Sequence, residues 1–224
     1  MKIVAVVPMK LNNRRLPGKN IKSFTMGKPL CHYILSTLLK INIIDDVYVY
    51  CSDRSIEDYI PNQVKFLQRS SKLDSDSTKM NEILYSFAKE VDADIYVLTH
   101  ATAPFIKKDS IEKAILQVKS GLYDSAFSVK KIQDFMWIDG KPFNYNLEEI
   151  PRTQDLPPIF TETCGFYVYR KDLILTLKRR IGEKPSLIEC DEIESIDIDE
   201  PIDFEIADAV FNHLFNHRAS ASNL

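Results

Sequence analysis

No apolar run in the 224-residue chain approaches the roughly 20 residues needed to cross a bilayer, so a helical membrane span is excluded. Cysteine is scarce. Cys31, Cys51, Cys164 and Cys190 stand far apart with no C-x-x-C pair. Neither a disulfide framework nor a zinc site is indicated, and reduced thiols in a cytoplasmic protein are expected. An excess of basic charge is also missing: the formal net charge is −3, which argues against a nucleic-acid partner. No G-x-G-x-x-G follows the first strand pattern, so a dinucleotide-binding site is not indicated. There is no internal repeat and no low-complexity block. The first strand pattern begins at Lys2, and no leader is expected ahead of it.

What is present alternates between strand and helix patterns. Residues 2–7 form a β-branched run suited to a strand buried on both faces. Helical spacing follows over 29–39, a strand over 47–51, and Ser52-Asp53 as the cap of another helix. Strands at 64–67, 95–98 and 125–129 alternate with helices at 79–91 and 110–120, the latter stopped by Gly121. Such a series predicts an α/β fold with a parallel or mixed doubly wound sheet, and the length suits one domain spanning 1–224. The rhythm breaks over about 130–160, where Trp137, an Asp139-Gly140 turn and four prolines suggest a hairpin insertion making subunit contacts. A strand at 165–169 resumes the sheet. A last helix is expected from about 202 to 213, with 218–222 frayed.

Two features carry chemistry. Lys10, Arg14, Arg15 and Lys19 crowd the loop after the first strand. A charge cluster is ordinarily a solvated face. In open α/β sheets, however, ligands bind at the carboxyl ends of strands, so this position suits a polyanion such as a nucleoside triphosphate. The second feature is Ser195-Ile-Asp-Ile-Asp-Glu-Pro201. As a strand it would project Asp197 and Asp199 to one side, with Ile196 and Ile198 toward the core. Paired carboxylates on one side suit Mg²⁺, which takes hard oxygen ligands from protein and phosphate. The competing reading is an acidic lead-in to a helix N-terminus, which favours carboxylates anyway.

The chain resembles the acylneuraminate cytidylyltransferase (CMP-sugar synthetase) family. The family's first loop runs roughly A-R-x-x-S-K-x-x-P-x-K-N, and here Pro17, Lys19 and Asn20 match, with Lys10 for the arginine and Arg14 for the lysine. Its closing S-I-D-x-D-x-x-x-D is matched by Ser195, Ile196, Asp197, Asp199 and Asp203. Cys51-Ser52-Asp53, the segment 69–76 with Leu73 and Asp76, and 98–104 with His100 and Thr102 resemble further blocks, as do 151–154 and 165–168.

The resemblance implies a Rossmann-like nucleotidyltransferase fold with a mostly parallel (mixed) central sheet, and the insertion at about 130–160 is expected to make a homodimer. It implies cytidylyl transfer from CTP to a sugar acid such as a nonulosonic acid, giving a CMP-sugar for cell-surface glycans. It implies triphosphate contacts from Lys10, Arg14 and Lys19, and further nucleotide contacts from Met9, Asn12, Asn20, Ser52 and Asp76. Acceptor contacts fall to His100, Thr102 and Arg152, and Mg²⁺ to Asp197 and Asp199, with Asp199 catalytic. Other readings stay open: a Kdo-like acid, a polyol or a phosphorylated acceptor, or a non-catalytic nucleotide-binding relative. Asp76 could equally cap a helix. His100 could be a satisfied structural histidine. Arg152 could grip an acceptor carboxylate or pin the insertion to a partner subunit.

Overall fold

The structure, a computed structural model, describes residues 1–25 and 27–221, with 215–221 described by backbone alone. Strand β1 (Ile3–Met9) is buried along nearly its whole length because it is an interior strand of a sheet covered on both faces. It pairs in parallel with β2 (Asp46–Cys51) on one side and β4 (Ile95–Thr99) on the other. Strand β3 (Lys65–Gln68) extends the first side in parallel. Beyond β4 comes β8 (Ile159–Arg170), the one antiparallel strand, followed by β5 (Ser125–Ile132) and β9 (Pro185–Glu189). The order is therefore β3-β2-β1-β4-β8-β5-β9, a mostly parallel, mixed sheet.

Alternation along β1 divides the core. Ile3, Ala5, Val7 and Met9 face α1 (Leu30–Leu38) and α3 (Lys108–Lys119). Val4 and Val6 face α2 (Met80–Glu90) and α4 (Lys171–Leu175). A third cluster joins Leu16, Phe24, Leu30 and Ile198 to Phe204 and Ala207 of α5 (Pro201–Ala221). It matters for the site, because Leu16 belongs to the cationic loop and Ile198 to the acidic segment. Their apolar residues bury each other and hold the two charged stretches face to face.

The expected elements recur with shifted bounds, and four differences are informative. Asp53 does act as a cap, its carboxylate accepting from Ser55 N at 2.9 Å, but the element is a six-residue 3₁₀ turn, Arg54–Tyr59. The acidic segment 196–199 is not a strand; it is an irregular stretch that leads into α5 and has no sheet partner among the described residues. Its alternation survives without pairing, because Ile198 is driven into the third cluster. Helix α5 runs on to Ala221, so 218–221 continue it, while Ser222 lies outside the described residues. Finally, α4 and β9 had no clear pattern: α4 is five residues long, and β9 is an edge strand with alternating burial.

The insertion carries the expected hairpin, β6 (Trp137–Ile138) against β7 (Lys141–Pro142). Asp139 at φ 49° and Gly140 at φ 73° make the left-handed pair that so tight a reversal requires. Trp137, Ile138, Phe143, Leu147 and Ile150 are all exposed on this arm. Among the described residues, no helix is long and apolar enough to cross a membrane.

Candidate functional site

The strand order turns at β1, from which one neighbour leads to β2 and β3 and the other to β4, and a crevice opens at the carboxyl ends of these strands. A cleft of about 470 Å³ lies there, lined by Met9 and Lys10 from the end of β1 and by His100 and Thr102 after β4. Asp197 and Asp199 line it from the acidic segment. A second hollow of about 360 Å³ adjoins it along the loop, between Lys10, Arg14, Arg15, Lys19 and Asp76.

Local sequence explains the loop's path. Gly18 sits at φ 67°, which only glycine adopts without strain, and it turns the chain so that Leu16 can reach the third cluster. Buried Asn20 donates from Nδ2 to the Lys10 carbonyl at 2.9 Å, tying the two ends of the loop together. Asn20 thus serves the loop's shape while lining the cleft.

Each cation of the loop meets a carboxylate across the gap. Asp76 accepts from Lys10 Nζ at 3.0 Å and pairs with Arg14 Nη1 at 2.7 Å. Asp76 is therefore an ion-pair centre; the N-cap position of α2 belongs to Lys79. Lys19 Nζ reaches Asp199 Oδ1 and the Ile198 carbonyl, both at 3.0 Å. Arg15 joins the other Asp199 oxygen at 2.9 Å and Glu200 at 3.3 Å. Asp203 caps the start of α5 from inside, accepting from Asp199 N at 3.0 Å and Glu200 N at 2.7 Å.

The two acidic residues have different electrostatics. Burial pushes the Asp199 carboxyl up, but Lys19 and Arg15 outweigh it and hold the group below its ordinary pKa. Burial dominates at Asp197, and the nearby Asp199 charge adds to it, so this pKa is raised despite the Thr102 hydroxyl. Thr102 also accepts Ile198 N at its carbonyl, 2.9 Å, which fixes the segment against the loop after β4. Asp197 Oδ1 is buried with no hydrogen-bond partner among the described residues. An orphaned carboxylate oxygen beside a second carboxylate is the donor set a hard cation takes. Among the described residues no three His, Cys, Asp or Glu side chains cluster as a metal cage, so such an ion would also need substrate oxygens or water. The residues present fit Mg²⁺ on those terms.

His100 lines the same cleft. Burial, the Arg180 charge and the Lys19 charge together lower its pKa to about 4, so the imidazole is neutral at physiological pH. Beyond it Arg69, 4 % exposed, binds Asp74 at 2.7 Å, and Ser52 donates to the other Asp74 oxygen.

The fold thus brings Met9, Lys10, Lys19, Asn20, Asp76, His100, Thr102, Asp197 and Asp199 to one cleft, with Arg14 on its rim. Three expected residues fall elsewhere. Asn12 is exposed, and its neighbour Asn13 lines the cleft instead. Ser52 is turned behind Asp74 and does not line the cleft. Arg152 stands on the insertion, its side chain 74 % exposed and paired with Asp155 at 2.8 Å. Sequence reasoning passed over Arg15, Arg69, Asp74 and Arg180. Arg15 was visible in the cation cluster, and Arg69 and Asp74 lay inside the segment that resembled a family block. Arg180 had no motif around it.

Residues 4–212 match the model of a family described as cytidylyltransferase. The chain is 26 % identical over 216 residues to N-acylneuraminate cytidylyltransferase A of Danio rerio, covering 92 % of this chain and 50 % of that protein. It therefore spans about half the length of that relative. It is 28 % identical over 228 residues to the CMP-N,N'-diacetyllegionaminic acid synthase of Legionella pneumophila, covering 93 % of this chain and 95 % of the relative. Among solved structures, a CMP:2-keto-3-deoxy-manno-octonic acid synthetase complexed with CTP superposes with a TM-score of 0.74 at 18 % identity. The match covers 95 % of this chain and 99 % of that one, a likeness of fold.

Proposed function

Because the chain belongs to the cytidylyltransferase family, we propose that it transfers the cytidylyl group of CTP to a hydroxyl of a sugar acid, releasing pyrophosphate. One observation carries this reading: a four-cation loop and a carboxylate pair face each other across one cleft at the switch point of the sheet. The names of the relatives, which act on nonulosonic acids, support a substrate of that class.

In the proposed reaction the acceptor oxygen forms a bond to the α-phosphorus, and the bond from that phosphorus to the bridging oxygen breaks. The hydroxyl proton passes to water, and pyrophosphate leaves with the electron pair of the broken bond. Such chemistry asks for alignment and charge neutralisation and little covalent participation. Lys10 and Arg14 would exchange their carboxylate partner for phosphate oxygens and, together with Lys19, stabilise the leaving pyrophosphate. Asn20 would keep Lys10 in place through its carbonyl. Ser52 would act at one remove, by orienting Asp74. Thr102 would fix Asp197, and neutral His100 would offer a hydrogen bond without adding charge. Asp197 and Asp199 would hold Mg²⁺, which when bound supplies positive charge at the phosphates.

The exposed Trp137, Ile138, Phe143 and Leu147 support a homodimer formed through the insertion, since monomers rarely expose so many large apolar side chains together. Arg152, on the same arm, would then lie near the partner subunit. Scarce, dispersed cysteines support a cytoplasmic setting.

The test is pyrophosphate release with Mg²⁺ and each of the four nucleoside triphosphates against a panel of nonulosonic and octulosonic acids. Release with CTP and one acid is expected. Release with a different nucleotide, or with a neutral polyol alone, would refute the reading.

A further inference from the structure

Three of the cations lining the cleft are already balanced: Lys10 by Asp76 at 3.0 Å, Lys19 by Asp199 at 3.0 Å and Arg69 by Asp74 at 2.7 Å. Arg180 differs. Among the described residues no carboxylate lies within ion-pair distance of it. Its guanidinium rests over the ring of Tyr167, 4.2 Å from the centroid, and touches the Tyr167 hydroxyl. Nη1 donates to Asn81 Oδ1 at 3.2 Å. Nε is buried and has no hydrogen-bond partner among the described residues. The Tyr167 hydroxyl itself donates to Glu162, and no carboxylate pairs with Arg180 directly; a guanidinium cannot shed its charge, so a part-buried one without an ion pair of its own is costly unless an anion completes it.

The backbone holds this residue firmly. Arg179 N binds the Leu173 carbonyl at 3.1 Å, and Gly182 N binds Ser125 Oγ at 3.0 Å. The next two amides, of Glu183 and Lys184, both reach Asp124 Oδ2 at 2.8 Å. The ring beneath and the pinned turn behind give the planar fork one orientation. Nη1 is occupied by Asn81 and Nε is enclosed by the protein, yet Arg180 lines the cleft with no carboxylate to balance it. A guanidinium so placed can grip the two oxygens of a carboxylate.

We infer that Arg180 binds the carboxylate of the acceptor, and so decides that the chain accepts sugar acids and refuses neutral sugars; this rests on the reading of the cleft as a cytidylyltransferase site. Placement argues for the acceptor over the nucleotide. The cationic loop follows β1, whereas Arg180 stacks on Tyr167 of β8, on the far side of β4. His100 lines the same cleft and is under the influence of both the Arg180 and the Lys19 charge. Tyr167 on the same flank supplies an apolar ring wall with a polar tip, a surface suited to a sugar.

The test compares wild type with Arg180→Gln and Arg180→Lys, using N-acetylneuraminic acid, 3-deoxy-manno-octulosonic acid and the methyl ester of each. Turnover and calorimetric binding are both read, and CTP binding reports that each variant is folded. The expected result is a KM or Kd for the free acid raised ten-fold or more in Arg180→Gln and partly in Arg180→Lys. Values for CTP should stay within two-fold, and the methyl ester should be treated alike by all three proteins. Equal weakening of acid and ester would overturn the inference, because Arg180 would then only shape the pocket. Weakened CTP with unchanged acid would also overturn it, by moving Arg180 to the triphosphate. If wild type turns over an acid and Arg180→Gln does so equally well, the inference fails while the cytidylyltransferase reading stands. If wild type binds CTP yet uses only a neutral acceptor, both fail.

Discussion

His100 should govern how the protein responds to mild acid. The imidazole sits in the cleft with its pKa lowered from 6.5 to about 4, first by burial and then by the charges of Arg180 and Lys19, with Asp199 opposing them. The unfolded chain regains the ordinary value. Between the two values the unfolded state binds more protons than the folded one, so stability falls as the pH drops from 6.5 toward 4. At pH 5 the unfolded histidine is almost fully charged and the folded one almost fully neutral. The difference amounts to about 2 kcal/mol lost relative to pH 8, and to about 3 kcal/mol once the pH is below both values. Against a typical stability of about 5–15 kcal/mol, that is a substantial share. His100→Gln keeps a polar side chain of similar size and removes the titration. Urea unfolding of both proteins at pH 8 and pH 5 isolates the effect. Asp76 and Asp199, whose pKa values are lowered by their cation partners, also lose stabilisation in acid, but they do so in both proteins and cancel. The variant should lose about 2 kcal/mol less than wild type over that interval. Equal losses would show that His100 titrates normally in the folded state and that the cleft is wetter than its geometry implies.

Other expectations can be checked directly. Lys19→Ala removes a charge-assisted contact of roughly 1.5–3 kcal/mol, so KM for CTP should rise about ten- to hundred-fold in steady-state kinetics; an effect confined to the acceptor would contradict its role. Asp199→Asn should abolish Mg²⁺-dependent turnover while circular dichroism shows the fold intact, and retained activity would remove Asp199 from the metal site. Ser128 Oγ accepts the amides of Gly165 and Phe166, both at 3.1 Å, where Cys164 is forced to φ 56° and the β5–β8 register shifts. Ser128→Ala should therefore cost about 1–3 kcal/mol in denaturant unfolding, for two buried donors left without a partner. Replacing 136–143 with a short glycine–serine turn should yield monomers by sedimentation; a persistent dimer would place the subunit contact elsewhere.

Much of this could be read from the chain because a few signals are strongly local. A β-branched run such as Ile3 to Val7 fits only a doubly covered strand, and Asp139-Gly140 fits only a tight reversal. The cationic loop could be assigned to the site because the carboxyl end of a first strand is where α/β sheets bind ligands. What could not be read depends on contacts distant in sequence. Ile198 is held by Leu16 and the α5 residues, so its segment keeps one face inward without joining the sheet, and strand-like alternation alone cannot tell that case from a true strand. Asn12 and Asn13 are chemically identical, and only the path of the loop decides which faces the cleft. Arg180 belongs to the site through an aromatic ring thirteen residues earlier and a turn pinned by Asp124, neither of which has a composition signal.

The self-paired charges of the cleft have a consequence for how it would receive a polyanion. Lys10, Arg14 and Arg15 make their pairs with side chains that are partly open to solvent, Arg14 at 84 % and Arg15 at 57 % exposure. Pairs so exposed are worth only about 0.2–1 kcal/mol, so phosphate oxygens can displace their carboxylates at little cost. Lys19 is different: its side chain is 12 % exposed, and it also holds the Ile198 carbonyl. It is therefore the fixed link between the two arms, while Arg14 and Arg15 are the exchangeable ones. When Arg15 moves to phosphate, one oxygen of Asp199 is freed beside the unpartnered oxygen of Asp197. Arrival of the triphosphate and completion of a cation site would then be a single event, with Lys19 holding the geometry in which both occur.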